Sequence, residues 1–280
     1  MVIDLLPVWP TGRVRDLSLI TLPDGSRLVI ACDSVGGIGP HPGDSVAATA
    51  HTTGHFAARV PLIELVAAGA TPRLIVNTLC FAGGTEADQM VAAVNELAAE
   101  VGLGPEAVTG STEENAATST TGIGVTVIGS AGPDGLRVGR SRAGDLVVCL
   151  GLPRSAPAHE LHPTDPEMPS IAEVVAALAI PGVHEALPVG SRGVRHEIAQ
   201  LAATAGLRHQ WTDRIAGRGQ RQGDRHQRQD AGFDVSASGG PASCVLVSLD
   251  PAALPALRSI RADLPVVVVG ELSDFPAPSG

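Results

Sequence analysis

Residues 31–44 read ACDSVGGIGPHPGD, an aliphatic strand end that runs into a glycine-rich turn between two carboxylates, Asp33 and Asp44. Glycine lets the main chain approach an anion closely, and carboxylates hold the Mg²⁺ that neutralises phosphate charge. The stretch therefore favours a site for magnesium-bound phosphates. The glycines expected beside the phosphates are Gly36, Gly37 and Gly39. Turns rich in Asp and Gly are also common without a ligand, so an ordinary solvated turn remains the alternative.

A second candidate segment, Thr109–Asn115, reads TGSTEEN and precedes another glycine-rich run. Its neighbouring carboxylates, Glu113 and Glu114, would be costly to bury side by side without a cation. They are therefore either solvated on a loop or share a metal ion, and the residue pattern leaves both readings open.

The apolar periodicity around these segments predicts helices mixed with strands, an α/β (α+β) class. Leu17–Thr21 and Arg27–Ala31 flank Pro23-Asp24-Gly25 and predict a hairpin. Helices are predicted at residues 54–68, 85–102, 170–178, 193–205 and 251–258. Strands are predicted at 74–79, 125–128, 146–150, 244–248 and 266–269, with 125–128 and 146–150 in one sheet. Thr85 is expected to cap its helix.

The proline-rich stretch 154–169 predicts a boundary between an N-terminal domain, residues 1–152, and a C-terminal domain, residues 153–280. Within the second domain, residues 214–234 carry five Arg and four Gln and offer little to bury. That composition predicts a poorly ordered loop, with a basic anion-binding arm as the alternative.

The overall composition argues against several classes of function. A net charge of -10 disfavours a nucleic-acid partner, and all 19 basic residues are Arg, which excludes a Lys nucleophile or a Walker-type Lys. No apolar run approaches the roughly 20 residues that span a bilayer, and the N-terminus MVIDLLPVWPTG lacks the pattern of a signal peptide. We expect no membrane partner and a cytoplasmic location.

The cysteines and histidines give no metal-binding pattern. Cys32, Cys80, Cys149 and Cys244 are far apart and predict four buried thiols rather than disulfides. The pairs His51/His55 and His159/His162 lack further ligands at a supporting spacing. Neither pair is expected to bind zinc.

Five segments occur in the order seen in AIR-synthase-related proteins. They are ACDSVGGIG, GHFAARVPLIELVAAGATP, TGSTEENAATSTTGIGVTVIG, LPVGSRGVRHEI and GGPASCVLVS. The chain resembles that superfamily and, within it, is most similar to the α-ribazole kinase family of cobalamin salvage. The shared motifs are Asp-Ser-x-Gly, Arg-Val-x-Leu-x-Glu and Thr-Gly-Ser-Thr-Glu-Glu-Asn. The resemblance implies a two-domain AIR-synthase-like fold, and a homodimer whose N-terminal domains pair through their strands.

The resemblance also implies an activity, the transfer of the γ-phosphoryl group from ATP, with Mg²⁺, to the 5′-hydroxyl of α-ribazole. Alternatives are an ATP-dependent cyclo-ligase or amide-activating enzyme, and a nucleotide-binding dimer without turnover. The implied metal positions are Asp33, Asp44, Glu64 and Glu114, with Glu113 as the alternative to Glu114. The implied nucleotide positions are Gly36, Gly37, Gly39, Arg59, Gly110, Ser111, Thr112 and Asn115. Arg59 has two readings, a phosphate contact or a partner for a carboxylate.

Catalytic roles are implied for Asp33, Asp44 and His41. His41 departs from the family pattern, which often has Lys in this turn. We interpret it as a replacement for that positive group or, alternatively, as a solvated turn residue.

Overall fold

The structure is a computed structural model that describes residues 9–216 and 233–276. The chain divides into two compact units, Met1–Leu136 and Arg137–Gly280. This division is earlier than the predicted boundary after residue 152. The reason is the strand Leu146–Gly151, which was expected in the first sheet but is the central strand of the second.

The first unit is a mixed sheet with helices on one face. Its elements are β1 (Thr11–Val14), β2 (Leu17–Thr21), β3 (Arg27–Gly36), β4 (Ile38–Gly39), β5 (Val46–Ala47), α1 (Ala50–Ala67), β6 (Thr71–Leu79), α2 (Thr85–Glu100), β7 (Val108–Thr112) and β8 (Gly122–Ala131). Six strands form the sheet in the order β1-β2-β3-β8-β6-β7, and only the β6–β7 pair is parallel. β2 and β3 pair with Thr21 opposite Arg27, which confirms the hairpin.

Helix α1 begins at Ala50, before the predicted start at residue 54. The Thr49 hydroxyl accepts a hydrogen bond from the Thr52 amide (3.1 Å) and caps the first turn. Gly69, beyond the last turn, has φ +84°, which costs glycine nothing. Within α1, Gly54 allows a close crossing, since a Cβ there would lie 2.5 Å from the Met90 carbonyl oxygen of α2.

The start of α2 differs from the prediction. Gly84 is the N-cap and makes no side-chain capping bond. The Asp88 amide donates to the Gly84 carbonyl (2.9 Å), so Thr85 is already inside the helix. The acidic residues predicted for the first turn, Glu86 and Asp88, are present there.

The two faces of the first sheet differ in how deeply their side chains are buried. On the face covered by the helices, alternate residues of β3, β6 and β8 such as Val29, Ile75 and Val127 are fully buried. On the opposite face, the apolar residues are only half-buried. They are Ile20, Leu28, Ile30, Leu74, Val76 and Ile128. These six residues are adjacent in the sheet register and form what we call the open sheet face.

The second unit is an antiparallel sheet with helices. Its elements are β9 (Leu146–Gly151), α3 (Ile171–Ala179), β10 (Val183–Pro188), α4 (Gly193–Thr204), β11 (Arg208–Trp211), α5 (Asp213–Ala216), β12 (Cys244–Leu249), α6 (Leu254–Arg258) and β13 (Val266–Ser273). The strand order is β10-β12-β9-β13-β11. Ile198 and Leu201 of α4 pack with Val147 and Leu246 of the sheet in one buried cluster. The predicted helices at 170–178 and 193–205 are confirmed as α3 and α4.

The proline-rich loop 153–169 belongs to the second unit. Arg154 bonds Glu167 through its side chain (2.8 Å) and Ser243 through its amide (2.9 Å). Arg261 bonds the carbonyls of Pro166 and Met168 (3.0 and 2.8 Å). These hydrogen bonds attach the loop to the second unit. The loop is therefore part of that unit rather than a linker.

Two further expectations have different outcomes. Of the four thiols, Cys149 and Cys244 are buried as predicted, whereas Cys32 and Cys80 are exposed. Most of the predicted loop 214–234 lies outside the described residues.

Candidate functional site

The glycine-rich turn, residues 36–47, is held against the loop that precedes β8. The amides of Gly37 and Gly43 donate to the carbonyls of Thr121 (2.9 Å) and Ser119 (2.8 Å). A Cβ on Gly39 would lie 2.3 Å from Thr121 Oγ1, so glycine is needed there for packing. The turn and residues 119–121 therefore form one folded unit, although they are far apart in sequence.

Asp44 is the centre of this attachment. Its Oδ1 accepts from the Thr121 amide (2.7 Å), and its Oδ2 accepts from Thr121 Oγ1 (2.7 Å) and from the His41 amide (2.8 Å). Burial tends to raise the pKa of Asp44, but the Thr121 and His41 hydrogen bonds outweigh it and lower the pKa overall. Three donors occupy most of the carboxylate's acceptor positions. Asp44 thus braces the turn, a role that the sequence did not predict.

The amides of the turn do not form an open phosphate cradle in this conformation. Gly37, His41 and Gly43 each donate their amide to a protein acceptor. A positive φ of +69° explains the glycine at position 37. Gly36 is different, because nothing lies within 4 Å of where its Cβ would be. The side of the turn at Gly36 is therefore the part that a ligand can approach.

His41 packs its ring edge-on against Phe81, with ring centroids 4.7 Å apart. Its Nδ1 is buried and has no hydrogen-bond partner among the described residues. Phe81 is buried and follows the end of β6. The ring is therefore fixed between the turn and the end of β6 rather than solvated.

The acidic pair lies where β7 ends, and its two carboxylates have different partners. Glu114 Oε1 accepts from Thr112 Oγ1 (2.5 Å) and from the Gly83 amide (3.1 Å), and these bonds lower its pKa. Glu113 Oε1 accepts from the Asn115 amide (2.6 Å). Glu114 is exposed and Glu113 is half-buried. The solvated-loop reading therefore describes the pair as it stands, and both carboxylates keep acceptor capacity for a cation.

Segment Thr109–Asn115 is not only a turn. Its first four residues lie in β7, the edge strand, and pair with β6 from Val76 to Leu79. Gly110 and Ser111 are exposed there, as is Asn115. The segment thus supplies an open strand edge that ends in the acidic pair.

Asp33 lies on β3, directly opposite Val125 of β8, and is half-buried. Burial raises its pKa, the amide of Ser34 offsets part of that rise, and the nearby charge of Asp16 adds to it. A carboxylate in such surroundings gains from a cation beside it. This is the electrostatic property expected of a metal-site residue.

Arg59 and Glu64 lie on α1. Arg59 is 3% exposed. Burial raises the pKa of Glu100 on α2, and the charge of Arg59 offsets part of that rise. Arg59 was interpreted either as a phosphate contact or as a partner for a carboxylate, and the second interpretation fits this buried position. Thr53 of α1 touches the turn at the Ile38 carbonyl (3.4 Å), and Glu64 is eleven residues further along, about 16 Å at 1.5 Å per residue. Glu64 is thus too distant to share an ion with Asp44 in the same chain.

The described residues contain no cluster of three or more His, Cys, Asp or Glu side chains that could hold a metal ion. Mg²⁺ usually takes only one or two protein carboxylates and completes its shell with water and phosphate oxygens. The acidic pair at the end of β7 fits that donor set.

A groove of about 430 Å³ beside β7 was missed by sequence reasoning. It lies between the strand edge and α2, and Gly110, Ser111 and Thr112 belong to its lining. Asn77 of β6 and Asn95 of α2 also line it. Neither residue stands in a recognisable motif, so only the pairing of β6 with β7 reveals their proximity.

The second unit contains a buried acid–base pair that was also missed. His184 Nδ1 lies 2.9 and 3.0 Å from the two carboxylate oxygens of Asp145, which is 3% exposed. His184 stands at a break in the β10–β12 register between Val183 and Glu185. Glu185 is itself fully buried and accepts from Ser141 Oγ (2.7 Å). These bonds attach β10 to the segment before β9.

The comparison with protein families concerns the first unit. Residues 14–131 are similar to the family "AIR synthase related protein, N-terminal domain". The match covers the glycine-rich turn, both helices, the acidic pair and the strands from β2 to β8. No curated protein sequence is significantly similar to the chain.

Solved structures extend the likeness to the second unit. Thiamine-monophosphate kinase from Stenotrophomonas maltophilia K279a has a TM-score of 0.61 at 16% identity, over 96% of this chain and 89% of that one. Hydrogenase maturation protein HypE in complex with ATP has a TM-score of 0.61 at 15% identity, over 98% and 81%. T. maritima PurL complexed with ADP has a TM-score of 0.65 at 19% identity, over 96% of this chain but 44% of PurL. The chain therefore has the predicted AIR-synthase-like fold.

No helix among residues 9–216 and 233–276 is long and apolar enough to cross a membrane.

Proposed function

We propose that this protein is an ATP-dependent phosphotransferase that phosphorylates α-ribazole at its 5′-hydroxyl in the cytoplasm. The observation that carries the proposal is the attachment of the glycine-rich turn to residues 119–121 through Asp44, inside a domain similar to the AIR synthase related family. The strand register places the ends of β3, β6 and β7 beside the start of β8, and so both acidic, glycine-rich segments lie at one end of the sheet. The likeness to HypE with ATP and PurL with ADP supports a nucleotide as the ligand.

Phosphoryl transfer needs positioning and charge neutralisation more than a protein nucleophile. This fits a chain without lysine whose candidate segments offer carboxylates, hydroxyls and exposed backbone. Glu113 and Glu114 would hold Mg²⁺ together with the phosphates, and Asp33 on β3 would be a further metal-site carboxylate. When bound, the ion neutralises phosphate charge.

The residues around the acidic pair have a positioning role in this proposal. Thr112 Oγ1 and the Gly83 amide hold one oxygen of Glu114, which fixes the direction of its carboxylate. The Asn115 amide does the same for Glu113. Because these partners come from β7, the following loop and the start of α2, the pair is oriented before any ligand arrives.

The choice of α-ribazole rests on the sequence resemblance to the α-ribazole kinase family. The segment LPVGSRGVRHEI of that pattern lies on β10 and α4 of the second unit. In a two-domain enzyme of this fold, the acceptor would be recognised by loops that vary between relatives. The likeness to thiamine-monophosphate kinase supports a kinase that acts on a small heterocyclic compound.

We also propose that the protein is a homodimer that pairs through the open sheet face. Six adjacent half-buried aliphatic side chains on one sheet face form an apolar patch of the kind that marks interaction sites. Ile30 and Ile128 stand opposite each other at its centre. Sedimentation should show a dimer for the wild type and a folded monomer for Ile30→Arg.

One observation favours a second candidate, a nucleotide-binding dimer without turnover. His41 replaces the family's lysine, and its ring packs on Phe81. Binding of ATP without consumption, in the presence of α-ribazole, would favour this candidate over the kinase.

The acidic pair provides a test of the nucleotide site by calorimetric titration with ATP and Mg²⁺. We expect Glu113→Gln and Glu114→Gln each to weaken ATP·Mg²⁺ binding by roughly tenfold or more, because each substitution removes one negative charge that would lie beside the cation. Asp134→Asn is the matched control, an exposed carboxylate beyond the opposite end of β8. Equal affinity in all four proteins would contradict the assignment.

A further inference from the structure

The groove between β7 and α2 has the chemistry of a site for an uncharged ring. Its side-chain lining combines the amides of Asn77 and Asn95 and the hydroxyl of Thr112 with the aliphatic groups of Leu79 and Val91. The full lining is Asn77, Leu79, Val91, Asn95, Pro105, Val108, Thr109, Gly110, Ser111 and Thr112, and it contains no charged side chain. The groove therefore does not select a phosphate or a carboxylate.

We propose that this groove binds the planar base of a nucleoside, an inference that rests on the proposed function. At about 430 Å³ it is in the range of roughly 300–1,000 Å³ typical of small-molecule sites. A heteroaromatic base presents two apolar faces and a polar edge. Aliphatic walls with a few neutral donors and acceptors match that shape.

Gly110 lets β7 pack closely against Asn77 in the lining of the groove. A Cβ at this position would lie 2.4 Å from both the backbone oxygen and Oδ1 of Asn77. Any larger residue would therefore displace Asn77 or β7. Asn77 is 3% exposed, and its Nδ2 donates to the Thr109 carbonyl (3.1 Å). That bond orients the amide of Asn77 with its acceptor oxygen packed beside Gly110.

The groove is continuous with the segment that we assign to phosphates and metal. Thr112 lines the groove and donates its hydroxyl to Glu114. A nucleoside with its base beside Gly110 thus has the acidic pair at one end of its site. The chemistry fits two sources of the base, the adenine of ATP and the benzimidazole of α-ribazole.

The decisive variant is Val91→Trp, because Val91 is a half-buried wall of the groove on α2. An indole at this position fills the space that the base would occupy. The matched control is Ala92→Trp, on the next residue of α2, which is exposed and does not line the groove. Asn95→Leu is a second, nearly isosteric variant that keeps the volume and removes the amide.

Calorimetric titration with adenosine and with α-ribazole, neither of which carries a phosphate, tests the groove separately from catalysis. We expect one nucleoside to bind the wild type and Ala92→Trp equally, and to bind Val91→Trp at least roughly tenfold more weakly. Loss of adenosine binding assigns the groove to ATP, and loss of α-ribazole binding assigns it to the acceptor. Asn95→Leu should weaken binding of the same nucleoside. Circular dichroism checks that each variant is folded.

Two results would overturn the inference. One is wild-type affinity for both nucleosides in Val91→Trp, and the other is a wild type that binds neither. Failure of the proposed function looks different, because the wild type would then bind a nucleoside in the groove but transfer no phosphate from ATP.

Discussion

Gly54→Ala should destabilise the first unit although alanine is the better helix former. A Cβ at position 54 would lie 2.5 Å from the Met90 carbonyl oxygen and 2.7 Å from Met90 Cα. Both atoms belong to the α2 backbone, so the clash can be relieved only by moving a helix. Overpacking of this kind costs up to about 3 kcal/mol, against about 1 kcal/mol gained from helix propensity. The net expectation is a loss of about 2 kcal/mol.

Urea unfolding followed by circular dichroism measures this loss, and a thermal scan should show a melting temperature lower by roughly 5–10 °C. Gly12→Ala is the matched control, because nothing lies within 4 Å of its Cβ position and its φ is not positive. That substitution should change the free energy of unfolding by less than about 0.5 kcal/mol. A Gly54→Ala protein as stable as the wild type, or more so, would refute the reasoning that the helices cross at this glycine.

Three further predictions follow from particular side chains. His55 is buried and its pKa is lowered to about 4 by burial, then by the charges of Arg59 and His51, so its neutral form is favoured in the fold. The contribution of neutral His55 to the free energy of unfolding is fully present above pH 6.5 and is lost as pH falls from 6.5 to 4. The loss is up to roughly 3 kcal/mol, at about 1.4 kcal/mol per pKa unit. His55→Phe should therefore flatten the pH dependence of urea unfolding. Asp44→Asn places an amide donor toward the Thr121 or His41 donors and should cost about 2 kcal/mol in the same assay, whereas an unchanged stability would contradict the bracing role. Of the four thiols, the exposed Cys32 and Cys80 should react with a thiol reagent in the native protein and the other two only after unfolding, unless Cys32 is covered by the proposed dimer.

The sequence predicted the elements whose pattern is local. Helices α1 and α2, the β2–β3 hairpin and strand β12 were predicted because their apolar spacing and flanking glycines or turns are contiguous in the chain. Strand β7 was missed because TGST is polar and glycine-rich and becomes a strand only through its pairing with β6. Likewise, loop 153–169 resembles a linker until the contacts of Arg154 with Glu167 and Ser243 are known.

The difference between local patterns and contacts of distant residues also explains which parts of the candidate site could be predicted. The segments that carry it could be found from their composition, because glycine and carboxylate clusters are visible in sequence. The role of Asp44 could not, because its partner Thr121 is 77 positions away. The groove depends on Asn77 and Asn95 meeting β7 in three dimensions. Helix geometry separates Glu64 from the turn, an effect that motif spacing alone does not show.

A turnover assay with ATP, Mg²⁺ and α-ribazole, read by mass spectrometry, tests the proposed phosphotransferase activity directly. We expect α-ribazole 5′-phosphate and ADP in equal amounts, with product formation abolished by omitting ATP and reduced at least roughly 10²-fold in Asp33→Asn. If the wild type binds ATP·Mg²⁺ yet forms neither product, the phosphotransferase assignment is contradicted.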